Sequence, residues 1–180
     1  LWRRHDEAVM ELEAQRAKPD ANEYAERFPM AEKIMAEIQE KYEYASDQYI
    51  ITVPRRCIDI VLEGRMLHHC AGTCDRYFDR IQQRETYICF LRRAEEPYKP
   101  YYTIEVEPGG TIRQHRGEYD EEPGIEKIRP FLREWQKVIK KRLTEQDHHY
   151  AKISAVKREE NIRELEAKNN TRVLKGLMED

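Results

Sequence analysis

The chain has 180 residues, of which 39% are apolar and 37% are charged, and its formal charge is −3. The near-balanced charge excludes a uniformly basic nucleic-acid-binding surface, because phosphates are neutralised by a local excess of cations. No apolar run approaches the ~20 residues that span a bilayer, so we expect no membrane partner. We interpret the four cysteines as reduced thiols of a cytoplasmic protein.

The first part of the chain, residues 1–46, is predicted to be a helical extension. Val9 and Leu12 mark a short apolar stripe, which we expect Pro19 to end. Between residues 30 and 43, apolar side chains recur at helical spacing and predict a second helix. Core packing and partner binding are the two open interpretations of these helices.

The central part, residues 47–143, predicts an α+β core. The β-branched run at 49–53 predicts a strand, and Gly64 lies where a left-handed helix end is expected. Further strands are predicted at 86–92, 101–107 and 111–115, and helices at 54–62, 74–83 and 124–143. The short connection at 108–110 favours a hairpin. We therefore expect a small, mainly antiparallel sheet of three or four strands packed by helices, with helical extensions at both ends.

The last part, residues 144–180, is predicted to be a charged helical arm. Its apolar residues are sparse and its charges are of mixed sign, which is typical of a solvated helix or a coiled-coil arm. We expect this arm to bury little surface in the core, to be dispensable for folding of the core, and to be available for self-association.

The first candidate site is the run Leu67-His68-His69-Cys70, with Cys74 four residues after Cys70. An imidazole beside a thiol lowers the pKa of the thiol, so we assign tentative catalytic roles to His69 and Cys70. Cysteine and histidine also bind zinc, but the set of four ligands looks incomplete, so we expect no metal and no cofactor. The alternative is that both residues are structural.

The second candidate site lies on the predicted strands, where Arg92, Glu105, Gln114 and Arg116 are polar. A solvent-facing side of a sheet would explain them without a function. If they converge on one face and the loop before Cys70 folds over it, they form a cleft for a phosphate-bearing or amide-bearing ligand.

A third candidate is a basic cluster, since Lys137, Lys140 and Lys141 share a helix face. The cluster predicts contact with nucleic acid, although a solvated helix face is the simpler interpretation.

Short motifs in a fixed order over residues 48–135 resemble the PcfJ-like domain family. That family is named after a conjugative-plasmid protein and occurs in bacterial plasmids, integrated elements and phages. The motifs are the strand ending at Pro54, Glu63-Gly64 with Leu67-His68-His69-Cys70, Ile88-Cys89-Phe90-Leu91-Arg92, Pro100 with Thr103-Ile104-Glu105-Val106, and Ile112-Arg113-Gln114-His115-Arg116-Gly117.

The resemblance implies an intracellular accessory domain of a mobile genetic element. It places the signature positions of the family at Glu63, Gly64, His69, Cys70, Gly72, Arg92, Thr103, Glu105, Gln114, Arg116 and Gly117. Two positions depart from the family pattern, since Cys74 replaces a frequent aromatic residue and Asp120 a frequent Asn.

Three functions stay open on the sequence. The domain is a nucleic-acid-associated accessory module, a protein-interaction module that uses its terminal helices, or a Cys/His-dependent enzyme. The enzyme would act on a phosphate- or amide-bearing substrate, with Cys70 and His69 at its centre.

Overall fold

The strands of the computed structural model follow one another in the sheet in sequence order, and each pairs antiparallel with its neighbour. They are β1 (Tyr44–Ala45), β2 (Tyr49–Thr52), β3 (Tyr87–Arg93), β4 (Tyr102–Val106) and β5 (Ile112–Arg116). The α+β class is confirmed, with five strands rather than three or four. The additional strand is β1, whose two residues are too few to produce a visible alternation of apolar and polar side chains.

Six helices are seen in the described parts of the chain, which are residues 2–72 and 75–168. They are α1 (Trp2–Arg27), α2 (Ala31–Tyr42), α3 (Cys57–Met66), α4 (Asp75–Gln82), α5 (Ile125–Arg142) and α6 (Glu145–Ala167). A single 3₁₀ turn, Cys70–Gly72, follows α3. None of these helices is both long and apolar enough to cross a bilayer.

The strand register decides which side chains share a face of the sheet. Ile88 pairs with Glu105, Glu105 with Gln114, and Thr103 with Arg116. Directly paired residues of antiparallel strands point to the same side, so the polar residues of β4 and β5 lie together. We call this side the site face. On the other side, Cys89, Leu91 and Ile104 are fully buried, and His115 is a polar member of this face.

Helix α1 corrects the expectation that Pro19 ends the first helix, because Pro19 lies inside it. Proline removes one backbone hydrogen bond from a helix interior. Here α1 continues because its second half is packed: it contacts α3, and Ala17 and Ala21 are buried. Tyr24 stacks on Phe78 of α4 with ring centroids 4.2 Å apart.

Helix α3 corrects the expectation at Gly64, which is not a left-handed helix end but a buried residue within the helix. The helix that carries this position contacts α1. The helix continues to Met66, and the left-handed conformation appears instead at His68, with φ of 53°.

Helix α6 is attached to the core by a few polar contacts. Thr144 caps it, and Ser154 is fully buried. Arg113 donates to the Ser154 carbonyl at 3.1 Å, and Arg158 donates to both carboxylate oxygens of Glu107 at 3.0 Å. Ser154 is the one buried residue of α6, so these polar contacts, and not an apolar face, attach the helix to the core, and its dispensability for folding stays a prediction. The boundaries after residues 46 and 143 stay predictions, and residues 169–180 of the arm lie outside the described part.

Candidate functional site

A small cavity of about 40 Å³ lies on the site face, between the sheet and the segment that follows α3. All of the predicted site residues except Arg92 line it. The lining residues are His69, Cys70, Ala71, Tyr77, Ile88, Thr103, Glu105, Gln114, Arg116 and Asp120. The volume suffices for about three or four water molecules, at roughly 10–15 Å³ each, so the cavity accommodates a small polar group.

Arg92 lies on β3 but has a different neighbour. Its two Nη atoms donate to the two carboxylate oxygens of Glu63 at 2.5 and 2.7 Å. Glu63 comes from α3 and is 3% exposed. This bidentate pair fixes α3 to the sheet beside the cavity. The predicted ligand-binding role of Arg92 stays untested, but the structure gives its guanidinium a protein partner.

His69 is held by hydrogen bonds at both ring nitrogens. Its Nδ1 accepts from the Ala71 backbone N–H at 3.3 Å, so the ring proton is on Nε2, which lies 2.9 Å from Thr103 Oγ1. Burial lowers the pKa of His69, and the nearby Asp120 only partly opposes this. His69 is therefore a neutral ring that fixes the 68–72 segment to β4, and neither nitrogen is free to accept the Cys70 proton in this arrangement.

Glu105 is the most unusual group in the cavity. It is 2% exposed, and its Oε1 accepts from Arg80 of α4 at 2.9 Å. Its Oε2 is buried and has no hydrogen-bond partner in the described residues. Burial raises the pKa of Glu105, against the lowering effect of Arg80. A buried acceptor without a partner costs ~1–3 kcal/mol, so this oxygen favours occupation of the cavity by a donor group.

Cys70 differs from the other cysteines that the structure describes. It is exposed at the cavity, whereas Cys57 and Cys89 are buried. Burial raises the pKa of Cys57 to about 12. Tyr77 also lines the cavity, and burial, followed by the proximity of Glu105 and Cys70, raises its pKa to about 12. Cys74 lies outside the described residues.

The rim of the cavity is formed by residues in the left-handed conformation. His68, Tyr119 and Asp120 have φ of 53°, 55° and 60°. The rings of His68 and Tyr119 stack at 4.7 Å, and the Tyr119 N–H donates to the Leu67 carbonyl at 2.8 Å. Such conformations are unfavourable for residues other than glycine and cluster at functional sites. The two segments that carry them are thus fixed to each other across the mouth.

Two polar groups at the cavity have capacity for a ligand. Arg116 donates through Nη1 to Glu122 at 2.8 Å and to the His115 carbonyl at 3.1 Å. Its other guanidinium nitrogens, and the amide of Gln114, make no hydrogen bond within the described ranges. Together they offer donors and an acceptor in the cavity that Glu105 also lines.

Some cavity residues were not among the predicted ligands. Tyr77 comes from α4, and Asp120 is named on the sequence only as a departure from the family pattern. Their roles depend on the fold of two connecting segments. The one signal that the sequence offers is that Asp tolerates the left-handed conformation better than most residues.

The basic cluster of α5 is separate from the cavity. Lys137, Lys140 and Lys141 are exposed, and Lys137 pairs with Glu134 at 3.1 Å. The neighbouring Arg142 donates to the carbonyls of Glu40 and Glu43, so it closes the end of α2. Three exposed lysines remain as the candidate contact with nucleic acid.

The fold and the cavity define an α+β domain with a polar pocket and an exposed thiol on one face of its sheet. The family model described as PcfJ-like protein matches residues 1–132, and the chain belongs to this family. An uncharacterized protein of Listeria innocua is 33% identical over 119 residues, which is 66% of this chain. The match spans 24% of that relative. No solved structure matches the chain at a significant level.

Proposed function

We propose that the chain is an intracellular accessory domain of a bacterial mobile genetic element, either a plasmid, an integrated element or a phage. Its membership of the PcfJ-like family supports this role, since the family takes its name from a conjugative-plasmid protein. Cys57, Cys70 and Cys89 form no disulfide, which supports a reducing, cytoplasmic location. The working surface in this proposal is the cavity on the site face.

The cavity binds a small polar group that donates an N–H to Glu105. The observation that carries this proposal is the buried, unpartnered Oε2 of Glu105. A native protein rarely leaves such an atom unsatisfied. An amide or amine nitrogen at this position would satisfy it, while Gln114 and Arg116 contact the acceptor atoms of the same ligand.

Two alkylating reagents test this binding mode, because both react with Cys70 and differ only in the group that enters the cavity. Iodoacetamide carries an amide that donates to Glu105, whereas iodoacetate carries a carboxylate that Glu105 repels. In a Cys74→Ser background, we expect the ratio of the two rates at Cys70 to exceed the ratio for free glutathione about fivefold, which corresponds to one hydrogen bond. Peptide mass spectrometry identifies the labelled thiol.

The matched variants are Glu105→Gln and Glu118→Gln. Glu118 is an exposed carboxylate near His68, so its replacement controls for the loss of one negative charge near the mouth. We expect Glu105→Gln to return the ratio to that of glutathione and Glu118→Gln to leave it unchanged. A parent ratio equal to that of glutathione, or one that does not respond to Glu105→Gln in a folded variant, contradicts the proposal.

Thiol chemistry is a second candidate function, favoured by the exposure of Cys70 at the cavity. A Cys-dependent enzyme requires thiolate near neutral pH. The rate of Cys70 alkylation as a function of pH then has its midpoint below the ~8.5 of a free thiol. A midpoint at or above that value removes this candidate and leaves the binding function intact.

Partner binding outside the cavity is a separate part of the proposal. Lys137, Lys140 and Lys141 would contact nucleic acid, and the exposed Val9, Leu12, Ile153 and Val156 of the terminal helices would contact protein or a second copy. Replacing the three lysines by Gln should lower DNA affinity. It should also reduce the slope of log K against log salt concentration by the amount that corresponds to about three phosphate contacts. If these replacements leave the DNA affinity unchanged, the α5 cluster is excluded as the nucleic-acid contact.

A further inference from the structure

A second cavity of about 290 Å³ adjoins the first. Gln114 lines both cavities, and Arg80, which holds Glu105 in the first, is part of the wall of the second. The wall is formed by α4, β5 and α6. Its residues are Arg76, Arg80, Arg113, Gln114, Asn161, Glu164, Leu165 and Lys168.

The wall of the second cavity is strongly cationic. It contains three guanidinium groups, one ammonium group and a single carboxylate, Glu164. That carboxylate already accepts from Lys168 at 2.6 Å, and Lys168 lowers its pKa. Carboxylates outside the wall pair with two of the arginines, since Arg80 lies 2.9 Å from Glu105 and 3.9 Å from Glu85, and Arg113 is bound to Glu85 and Glu107. The other cations that line the cavity are Arg76 and, beside Glu164, Lys168.

The arginines of the wall have different roles. Arg113 is 1% exposed and is bound to Glu107, Glu85 and Ser154, so it is structural. Arg80 donates one Nη1 bond to Glu105, and its Nη2 has no hydrogen-bond partner in the described part of the chain. Arg76 is exposed at the start of α4, with its guanidinium over the Tyr77 ring at 5.2 Å. The planar fork of an arginine suits a phosphate group.

We propose that the second cavity is an anion subsite that binds a phosphate group of the ligand whose N–H reaches Glu105. This inference rests on the proposed function, because it extends the same ligand across Gln114. The ligand class is then a molecule with an amide or amine nitrogen at one end and a phosphate at the other. Such a phosphate belongs either to a small phosphorylated molecule or to a single-stranded nucleic-acid backbone.

Titration calorimetry of the 180-residue chain with inorganic pyrophosphate at low salt tests the subsite. The variants are Arg76→Gln and the matched control Lys137→Gln, which removes one exposed cation of α5. We expect Arg76→Gln to weaken pyrophosphate binding about tenfold, as for the loss of one charge-assisted hydrogen bond, and Lys137→Gln to change it less than twofold. Lys168→Gln should weaken binding in the same direction as Arg76→Gln.

A second arm uses a ten-nucleotide oligothymidylate to separate the two sources of phosphate. Tighter binding than that of pyrophosphate, with the same loss in Arg76→Gln, supports the subsite with a nucleic-acid backbone. Binding of pyrophosphate alone supports it with a small phosphorylated ligand. Absence of pyrophosphate binding, or equal affinity in Arg76→Gln and the parent, overturns the inference. The iodoacetamide preference at Cys70 does not involve this subsite, so the two proposals fail separately.

Discussion

Two buried carboxylates on the same side of the molecule show how differently a Glu–Arg pair can be used. Glu63 and Glu105 are 3% and 2% exposed, and burial raises the pKa of both. Glu63 accepts from Arg92 through both oxygens, at 2.5 and 2.7 Å. Glu105 accepts from Arg80 through one oxygen at 2.9 Å, and its other oxygen is buried without a hydrogen-bond partner in the described residues.

The difference separates a structural pair from a group with binding capacity. A bidentate Arg–carboxylate pair satisfies both oxygens and orients the two elements that carry it. A half-satisfied carboxylate costs stability, because desolvation of the second oxygen is not compensated. The Glu63–Arg92 pair thus joins α3 to the sheet, while Glu105 keeps one acceptor oxygen without a partner in the described residues, at the expense of stability.

The largest expected effect comes from breaking the satisfied pair. Arg92→Ala leaves the Glu63 carboxylate buried and unpaired, so we expect a loss of about 3–5 kcal/mol in the free energy of unfolding. Urea denaturation at neutral pH measures this. The control is Arg129→Ala, which removes an exposed pair with Glu126 and should change stability by about 0.5 kcal/mol or less. A loss below about 1 kcal/mol for Arg92→Ala would mean that the pair does not hold α3.

Replacing each of the two glutamates by the neutral isostere Gln tests the same comparison with a smaller expected effect. Glu63→Gln loses one of two charge-assisted bonds and places an amide N–H₂ against the guanidinium, so we expect a loss of about 2 kcal/mol. Glu105→Gln keeps one acceptor for Arg80 and removes the unpartnered acceptor, so about 1 kcal/mol or less is expected. Urea denaturation of the two variants side by side gives the difference. Equal losses, or a larger loss for Glu105→Gln, would contradict the distinction between the two pairs.

Features that depend on neighbouring residues in the chain were predictable from the sequence, and features that depend on contacts between distant residues were not. The strands β2 to β5 were found because β-branched runs and turn residues are local signals. Site residues on neighbouring strands were found because alternation and pairing place Glu105, Gln114 and Arg116 on one face. The continuation of α1 through Pro19 was missed, because it depends on packing against α3, which lies about forty residues further along the chain.

The neighbours of the site residues were beyond what sequence could predict. No local sequence pattern indicates that Arg92 pairs with Glu63 or that Arg80 donates to one oxygen of Glu105. Similarly, the burial of Ser154 depends on Arg113 and on the Glu85 carbonyl, which accepts from the Ser154 hydroxyl at 2.6 Å. The charge pattern of α6 gave no sign of these contacts, because its apolar stripe is weak.

The pH dependence of the free energy of unfolding tests whether the His69 ring, which is bound to Thr103, is neutral in the folded chain. Its pKa is below the ordinary 6.5, so below pH 6.5 the unfolded chain binds more protons and stability falls as the pH falls. His69→Gln removes this dependence along with the bond to Thr103. We expect the stability difference between parent and variant, measured by urea denaturation, to narrow by about 1 kcal/mol at most from pH 7.5 to pH 5.5.

The control for this series is His149→Gln, an exposed position on α6. Its stability difference from the parent should stay constant over the same pH range. A difference at His69 that widens toward pH 5.5 would show that the ring is protonated in the folded state, and His69 would then be available as an acid at the cavity.

The smallest expected effect lies at the rim, at Asp120. Replacing this residue by Gly should raise stability but remove a carboxylate from the cavity wall. Asp120 has φ of 60°, and glycine adopts this conformation without steric cost. Asp120→Gly should therefore raise the free energy of unfolding by about 0.5 kcal/mol, since the relief of strain slightly exceeds the added entropy of the unfolded chain. The same variant removes a carboxylate from the cavity wall and should change the ratio of iodoacetamide to iodoacetate rates at Cys70.

Gly117→Ala is the opposite control, because a Cβ there would lie 3.0 Å from Pro123 and 3.1 Å from the Glu121 carbonyl, so it should destabilise the segment. If Asp120→Gly loses stability and leaves the alkylation ratio unchanged, the left-handed rim is a packing feature and not part of the binding site.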